Sequence, residues 1–266
     1  MTIPVATLDG FTAGYVEAGG LRTWHEVRGD GPPVLLLHGG LAGALGWWGQ
    51  AQALVDAGFR VHVPERRGHA HTPDVDGPLT YAVMADDTIA YLDAVVSRPA
   101  HLVGWSDGAV VALLVAQRRP DLVDRMVLIG QYYNSDGRIT DGDVDDWLRS
   151  DDAVALLRQG YDPYSPDGPD HFGVVYEKVL AMWEAEPEIE LASLSSVASP
   201  TLVLQGDRDE VSVAHSLAVV EALGDARLAV LPGSHLLPLE SPAVVNPLLL
   251  WFLHADAVDP GFAVSG

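Results

Sequence analysis

Short apolar runs alternate with longer apolar segments through the middle of this chain. His101–Trp105 is too short for a buried helix and is predicted to form a buried strand. The next apolar stretch is rich in alanine and leucine, reaches Arg119 and stops at Pro120, which is typical of a helix. The pattern therefore predicts a strand, a sharp turn and a buried helix in direct succession.

The same alternation recurs on both sides of this unit. Further strands are predicted at 34–37, 60–64, 123–130, 201–204 and 227–231, and helices near 47–58, 79–96, 213–223 and 241–254. Two alternating segments around Gly19-Gly20, at 15–18 and 21–27, indicate an antiparallel hairpin at a sheet edge. Six or more strands alternating with helices predict an α/β fold with a doubly wound, mostly parallel sheet.

The strand rhythm stops between Tyr132 and Ser199. This segment contains short helical stretches, a proline-rich turn and several aromatic residues, and we expect a helical cap inserted after the sixth strand. The expected division is an α/β core of residues 1–131 and 200–266 and a cap of residues 132–199. The cap carries 15 acidic and 4 basic residues, a bias that a solvated outer face explains.

Composition narrows the classes of partner. The formal net charge of −22 repels phosphate backbones and anionic lipid, so we expect neither nucleic-acid nor membrane binding. The absence of cysteine excludes disulfides, thiolate nucleophiles and zinc–thiolate sites, and fits a cytoplasmic location. The first ten residues lack a signal-peptide pattern, and no apolar run reaches the length of a membrane span. A small-molecule partner remains, and a homo-oligomer is compatible with these features.

Ser106 lies in the turn between the first predicted strand and its helix, with Gly104 and Gly108 two residues away on either side. This G-x-S-x-G pattern is the nucleophile elbow, in which glycines avoid collisions while serine takes a strained, positive-φ conformation. The pattern alone is weak in a chain with 27 glycines, and an ordinary glycine-rich turn is the alternative. The flanking strand and helix favour a nucleophile.

An acid and a histidine follow two later strands. Asp209 comes after the predicted strand at 201–204, and His235 comes after the strand at 227–231. Active sites of open α/β sheets lie at the carboxyl ends of strands, and serine, acid, histidine is a known chain order for a catalytic triad. Asp207 lies on the same turn as Asp209, so it is an alternative acid.

Three histidines, His62, His69 and His71, fall within ten residues and raise the possibility of a metal site. His62 belongs to a strand pattern, and no carboxylate stands at an obvious ligand spacing near the other two. We therefore expect no metal and assign this loop to hydrogen bonding.

The combined motifs resemble the α/β-hydrolase superfamily over essentially the whole chain. They are the His-Gly-Gly loop at 38–40, the elbow at 104–108, the G-x-x-D segment at 206–209 and the Pro-Gly-Ser-His segment at 232–235. The elbow sequence Gly-Trp-Ser-Asp-Gly is similar to that of the valacyclovir-hydrolase-like serine esterases. Each motif is loose alone, but their order is specific.

The resemblance implies a role for each matching residue. Ser106 would be the nucleophile, His235 its base and Asp209 the orienting acid, with backbone N–H groups of Gly40 and Asp107 forming the oxyanion hole. No cofactor is implied. We expect substrate contacts from a further set of residues in the core and cap: Leu41, Trp48, Tyr164 and Trp183.

The implied activity is hydrolysis of a carboxylic ester or lactone of a small organic substrate through an acyl-enzyme on Ser106. A carbon–carbon bond hydrolase, a perhydrolase and a small-molecule receptor of the same fold are the alternatives. There are three hypotheses for the Asp107 side chain: it pairs with a substrate ammonium, caps the elbow helix or pairs with an arginine. The sequence leaves all three open.

Overall fold

The computed structural model describes residues 7–137 and 147–254, and these form one eight-stranded sheet with helices on both faces. The strands are β1 (Thr12–Ala18), β2 (Leu21–Arg28), β3 (Pro33–Leu37), β4 (Arg60–Pro64), β5 (Ala100–Trp105), β6 (Val123–Ile129), β7 (Thr201–Arg208) and β8 (Ala226–Ser234). Their order is β1-β2-β4-β3-β5-β6-β7-β8. The β1–β2 and β2–β4 pairs are antiparallel and the others parallel, which confirms the predicted edge hairpin and doubly wound sheet.

The helices lie between the strands in the predicted positions. They are α1 (Trp48–Asp56), α2 (Tyr81–Tyr91), α3 (Asp107–Arg118), α4 (Asp151–Gln159), α5 (Phe172–Ala185), α6 (Val213–Ala222), α7 (Leu237–Glu240) and α8 (Pro242–His254). The predicted helix at 79–96 begins later, because Thr80 caps α2 by accepting from the Val83 N–H. Its last turn, Leu92–Val96, is a π-helix that ends at the left-handed residue Ser97.

Alternate residues of the central strands pack into two separate hydrophobic cores, one on each face of the sheet. Along β3, Leu35 and Leu37 belong to the core that includes α2 and α3, whereas Val34 and Leu36 belong to the core that includes α1 and α8. All four side chains are at most 1% exposed. Because both faces of the sheet are covered, a strand such as β3 is apolar at every position rather than at every second one.

Strands β7 and β8 extend further than their apolar runs predict. The strand predicted at 201–204 continues to Arg208, and the one predicted at 227–231 continues to Ser234, so the Pro-Gly-Ser segment is strand rather than loop. The two extensions pair with each other, with a register shift between Gly206 and Arg208. A Cβ on Gly206 would collide with the carbonyl of Gly233, so two facing glycines let these polar ends approach.

The chain between β6 and β7 contains α4 and α5 within its described residues. Side chains attach this segment to the core. Asp74, in the loop after β4, accepts from Lys178 at 2.7 Å and lies 2.8 Å from His171 Nε2. Across residues 7–137 and 147–254, no helix has both the length and the apolarity needed to cross a bilayer.

Candidate active site

Ser106 occupies a strained turn between β5 and α3. Its φ is +54° and its ψ is −121°, a conformation that few residues other than glycine adopt. A Cβ on Gly104 would collide with the Gly108 carbonyl, and a Cβ on Gly108 would collide with the Leu37 carbonyl. Both elbow glycines are therefore required by close backbone contacts. The Ser106 N–H donates to the Ile129 carbonyl at 2.8 Å, which ties the turn to β6.

Ser106, His235 and Asp209 form a continuous hydrogen-bonded chain. The Ser106 Oγ lies 2.9 Å from His235 Nε2, and His235 Nδ1 lies 2.8 Å from Asp209 Oδ1. An ionised carboxylate only accepts hydrogen bonds, so the imidazole proton is on Nδ1 and the Nε2 lone pair faces the serine hydroxyl. This arrangement can move a proton from Ser106 to His235 as the hydroxyl attacks.

The two candidate aspartates at the end of β7 take different positions, with Asp207 inside the strand and Asp209 directly after it. Asp209 is 6% exposed and also accepts from the Val211 N–H at 3.1 Å. Asp207 is exposed, and its Oδ1 accepts from the Gly233 N–H at 2.9 Å. The structure thus brings Asp209 to His235 and gives Asp207 a role in joining the ends of β7 and β8.

Opposing effects act on the pKa of His235. Burial alone would lower that pKa, because a buried imidazolium loses its hydration. The hydrogen bond that His235 donates to Asp209, together with the negative charges of Glu210, Asp209 and Asp107, outweighs this effect and raises the pKa above the ordinary histidine value. His235 is therefore a stronger base than a free imidazole, and it becomes neutral only as the pH rises through that higher pKa.

The loop after β3 lies beside Ser106. A Cβ on Gly39 would lie 3.4 Å from the Cβ of Ser106. Arg66 Nη2 donates to the Gly39 carbonyl at 2.8 Å. The Gly39 carbonyl and the Gly40 N–H point in opposite directions across one planar trans peptide, so an anchored carbonyl also fixes the direction of that N–H. The buried guanidinium of Arg66 therefore sets the orientation of the Gly39–Gly40 peptide. The N–H of this peptide is the oxyanion donor predicted from the sequence.

A cavity of about 390 Å³ opens over Ser106, a size suited to a small organic molecule. Its described lining is mostly apolar and comes from strand ends of the core and from the segment between β6 and β7: Ser106, Tyr132, Trp147, Leu148, Trp183, Arg208, Glu210, Ser234, His235 and Leu236. Of the four substrate contacts predicted from the sequence, the cavity contains Trp183. The cap segment thus supplies wall residues, while the core supplies the hydrogen-bonded chain.

The chain matches a family model and is similar in sequence to several known hydrolases. A family model described as the alpha/beta hydrolase fold matches residues 32–162. The pyrrolizixenacetamide deacetylase of Xenorhabdus hominickii is 26% identical over 262 residues, which cover 91% of this chain and 98% of that protein. Serine hydrolase BPHL of Mus musculus is 27% identical over 265 residues, which cover 94% of this chain and 89% of that protein.

A solved structure agrees in fold. The enol-lactonase from Burkholderia xenovorans LB400 matches with a TM-score of 0.75 over 91% of this chain and 100% of that one, at 20% identity. The chain is a hydrolase of the α/β-hydrolase fold family. The fold class and superfamily predicted from the motifs are confirmed.

In this α/β hydrolase the Asp107 side chain is not among the residues that line the cavity. It is fully buried, and its Oδ1 accepts from the Tyr81 hydroxyl at 2.8 Å and from Trp183 Nε1 at 2.9 Å. A Cβ on Gly40 would collide with the Trp183 ring, and it would lie 2.5 Å from Asp107 Oδ2. The carboxylate therefore joins α3 to α2 and to the cap. None of the three hypotheses for Asp107 drawn from the sequence describes these hydrogen bonds.

Three of the residues expected to contact substrate lie outside the Ser106 cavity. Trp48 is 59% exposed at the start of α1, where the preceding residue, Trp47, fills the core instead. Leu41 and Tyr164 line a separate cavity of about 70 Å³, in which the Tyr164 ring lies 4.8 Å from the ring of His71. An aromatic residue near a predicted loop does not reveal which side of that loop it faces.

The three clustered histidines have separate hydrogen-bonding partners. His62 Nδ1 lies 3.3 Å from the Tyr91 hydroxyl, His69 Nδ1 lies 2.9 Å from the Arg67 carbonyl, and His71 Nδ1 lies 3.0 Å from Glu65 Oε2. Burial lowers the pKa of His62 to about 4 and that of His69 to about 3. Among the described residues, no histidine and carboxylate group has the arrangement of a metal site.

Two residues of the site were not predicted from the sequence. Gly130, at the end of β6, has a φ of +58°, and a Cβ there would lie 2.9 Å from His235 Nδ1 and 3.1 Å from Asp209 Oδ2. Trp105 Nε1 donates to the His235 carbonyl at 2.8 Å and fixes the backbone of His235. A glycine directly after a buried strand was the available signal for Gly130, whereas no local pattern marks Trp105.

Proposed function

We propose that this hydrolase cleaves a carboxylic ester or lactone of a small organic substrate through an acyl-enzyme formed on Ser106. The observation that carries the proposal is the chain from Ser106 Oγ through His235 to Asp209, with distances of 2.9 and 2.8 Å, at the floor of a largely apolar cavity. A serine hydroxyl is too weak a nucleophile alone, and an adjacent oriented imidazole is what activates it.

In the acylation step, Ser106 Oγ bonds to the carbonyl carbon while His235 Nε2 takes the hydroxyl proton. The negative charge moves to the carbonyl oxygen, for which the N–H groups of Gly40 and Asp107 are the proposed donors. The carbon–oxygen bond to the leaving group then breaks, and His235 returns the proton to that oxygen. Asp209 keeps the imidazole oriented and stabilises its protonated form throughout.

Deacylation repeats these transfers with water as the nucleophile. His235 Nε2 takes a proton from water, the resulting oxygen bonds to the acyl carbon, and the bond to Ser106 breaks as His235 returns the proton to the serine. The products are a carboxylic acid and an alcohol, or a hydroxy acid when the substrate is a lactone. These steps require only the named residues, their backbone N–H groups and water.

Assay of a panel of p-nitrophenyl esters, aliphatic esters and lactones tests the proposal, with the carboxylate and alcohol products quantified by mass spectrometry. We expect turnover of at least one group that disappears in Ser106→Ala. Cleavage of a vinylogous diketone with no ester turnover would assign the chain to carbon–carbon hydrolysis instead. Halogenation dependent on peroxide would indicate a perhydrolase, and tight ligand binding with turnover over hours would indicate a receptor.

A further inference from the structure

His235 has a second carboxylate neighbour, on the opposite side of the ring from Asp209. Glu210 Oε1 lies 3.4 Å from Nε2, the same nitrogen that faces Ser106 Oγ at 2.9 Å. Asp209 and Glu210 are consecutive in the chain, yet they approach different imidazole nitrogens. Glu210 lines the cavity and its side chain is 20% exposed, whereas the Asp209 side chain is 1% exposed.

We propose that Glu210 is a positioning residue that stabilises the imidazolium of His235 each time Nε2 takes a proton. This inference rests on the proposed function for its catalytic meaning, but the contact itself exists without substrate. Neutral His235 presents a lone pair at Nε2, which gains nothing from a nearby carboxylate. Protonated His235 presents an N–H there, and the same carboxylate then attracts it.

This difference between the two states is what makes the contact useful. An interaction assists catalysis only when it is stronger in the transition state than in the resting enzyme. Positive charge develops on His235 in both acylation and deacylation, so Glu210 would act in both steps. Its negative charge is also among the causes that raise the pKa of His235.

The charged groups around His235 define the controls. Asp209 and Glu210 approach from the turn after β7, and Asp107 acts from the start of α3. Arg208 lines the same cavity with its exposed side chain, while the cap contributes the uncharged side chains of Trp147, Leu148 and Trp183. Asp207, near the end of β7, accepts a hydrogen bond from the Gly233 N–H instead and serves as a matched control.

Titration of the His235 imidazole by long-range proton–nitrogen NMR tests the proposal, with its signal identified by comparison with His235→Gln. In Glu210→Gln we expect the midpoint to fall by roughly 0.5 to 1 pH unit, less than a buried pair would give because both groups are partly exposed. Asp207→Asn should shift it by less than half as much. Glu210→Asp, which keeps the charge, should restore most of the wild-type midpoint.

The pH profile of kcat/KM provides the functional measurement. Removing a neighbouring negative charge lowers the pKa of His235, so the acidic limb of Glu210→Gln should move to lower pH by a similar amount. Its plateau rate should fall roughly twofold to threefold, because a weaker base transfers protons less effectively. A purely structural role for Glu210 would lower the plateau without moving the limb.

An unchanged NMR midpoint in Glu210→Gln, or an equal shift in Asp207→Asn, would overturn the proposal. A normal thermal unfolding midpoint in each variant confirms that folded proteins are compared. The NMR titration needs no substrate, so it separates this proposal from the proposed function. A shifted midpoint with no hydrolysis of any ester would contradict the proposed function alone.

Discussion

Two parts of the molecule are held in place by different means: the edge of the sheet that carries Ser106, and the cap segment that lines part of the cavity over it. Ser106, Asp209 and His235 are each the first residue after a strand, namely β5, β7 and β8. Backbone pairing between neighbouring strands therefore sets their separation. The cap segment is joined to the core mainly by side chains, including the Asp74 contacts with Lys178 and His171, together with a backbone hydrogen bond from the Ser212 N–H to the Gly137 carbonyl at 3.0 Å.

This difference suggests that the sheet edge sets the rate of the reaction and that the cap segment sets which substrate is preferred. Strand ends in a hydrogen-bonded sheet hold reacting groups to a fraction of an ångström, which proton transfer at 2.9 Å requires. A layer held by side chains can change its wall residues without disturbing the sheet. Substitutions at the edge should therefore lower the rate for every substrate, and substitutions in the cap wall should change which substrate is preferred.

The largest expected effect is loss of the nucleophile or its base. Ser106→Ala and His235→Ala should each lower kcat by roughly 10⁴-fold or more, because either change removes the whole proton-transfer unit. The double variant should be no slower than the worse single variant. Steady-state kinetics on one activated ester checks this, and additive losses would show that the two residues act independently.

Substitutions of the two aspartates at the end of β7 should differ sharply in their effect on kcat. Asp209→Asn should lower kcat by roughly 10⁴-fold, since an amide can stabilise the wrong imidazole tautomer. Asp207→Asn should stay within about fivefold of the wild type, because its partner is the Gly233 N–H rather than His235. The comparison uses kcat at saturating substrate, and a reversed ranking would assign Asp207 as the acid.

A substitution at Gly130 should have an intermediate effect on kcat, because there is no room for a side chain beside His235 and Asp209 at this position. Gly130→Ala should lower kcat by roughly 10²-fold, because the added methyl group would displace His235 or Asp209. Gly20→Ala is the matched control, since Gly20 also has a positive φ of +84° but nothing lies within 4 Å of an added Cβ. Similar loss of stability in both variants with a selective loss of rate at Gly130 would support this explanation, and equal rates would contradict it.

The smallest effect on rate should come from the cap wall. Trp147→Ala should change the ratio of kcat/KM between long-chain and short-chain acyl esters by roughly tenfold, as lost apolar contacts of 1 to 3 kcal/mol imply. Trp251→Ala is the control, because Trp251 is 49% exposed, like Trp147 at 47%, but lies outside the cavity. An unchanged ratio in Trp147→Ala would remove this residue from the acyl site.

The same division explains what the sequence could predict. Strand ends are marked by local patterns, so the order of Ser106, Asp209 and His235 along the chain predicts that they lie on one edge of the sheet. The wall residues lie where an irregular segment folds over that edge. Trp48 and Tyr164 are aromatic and close in sequence to the expected site, yet they face elsewhere.

Long-range contacts account for most of the remainder. Glu210 follows the predicted acid directly, but its approach to Nε2 depends on how the turn after β7 meets the loop after β8. Asp107 has partners in α2 and the cap, Tyr81 and Trp183, which lie 26 and 76 residues away in the chain. Local periodicity carries no information on such pairs.

The central claim is that Ser106 becomes covalently acylated during turnover. Rapid acid quenching of the reaction with a slowly deacylating p-nitrophenyl ester, followed by intact-mass analysis and peptide sequencing, tests it directly. We predict one acyl group per chain, located on Ser106 and absent from Ser106→Ala. An adduct of the same stoichiometry on another residue, or ester turnover with no adduct at any quench time, would contradict the claim.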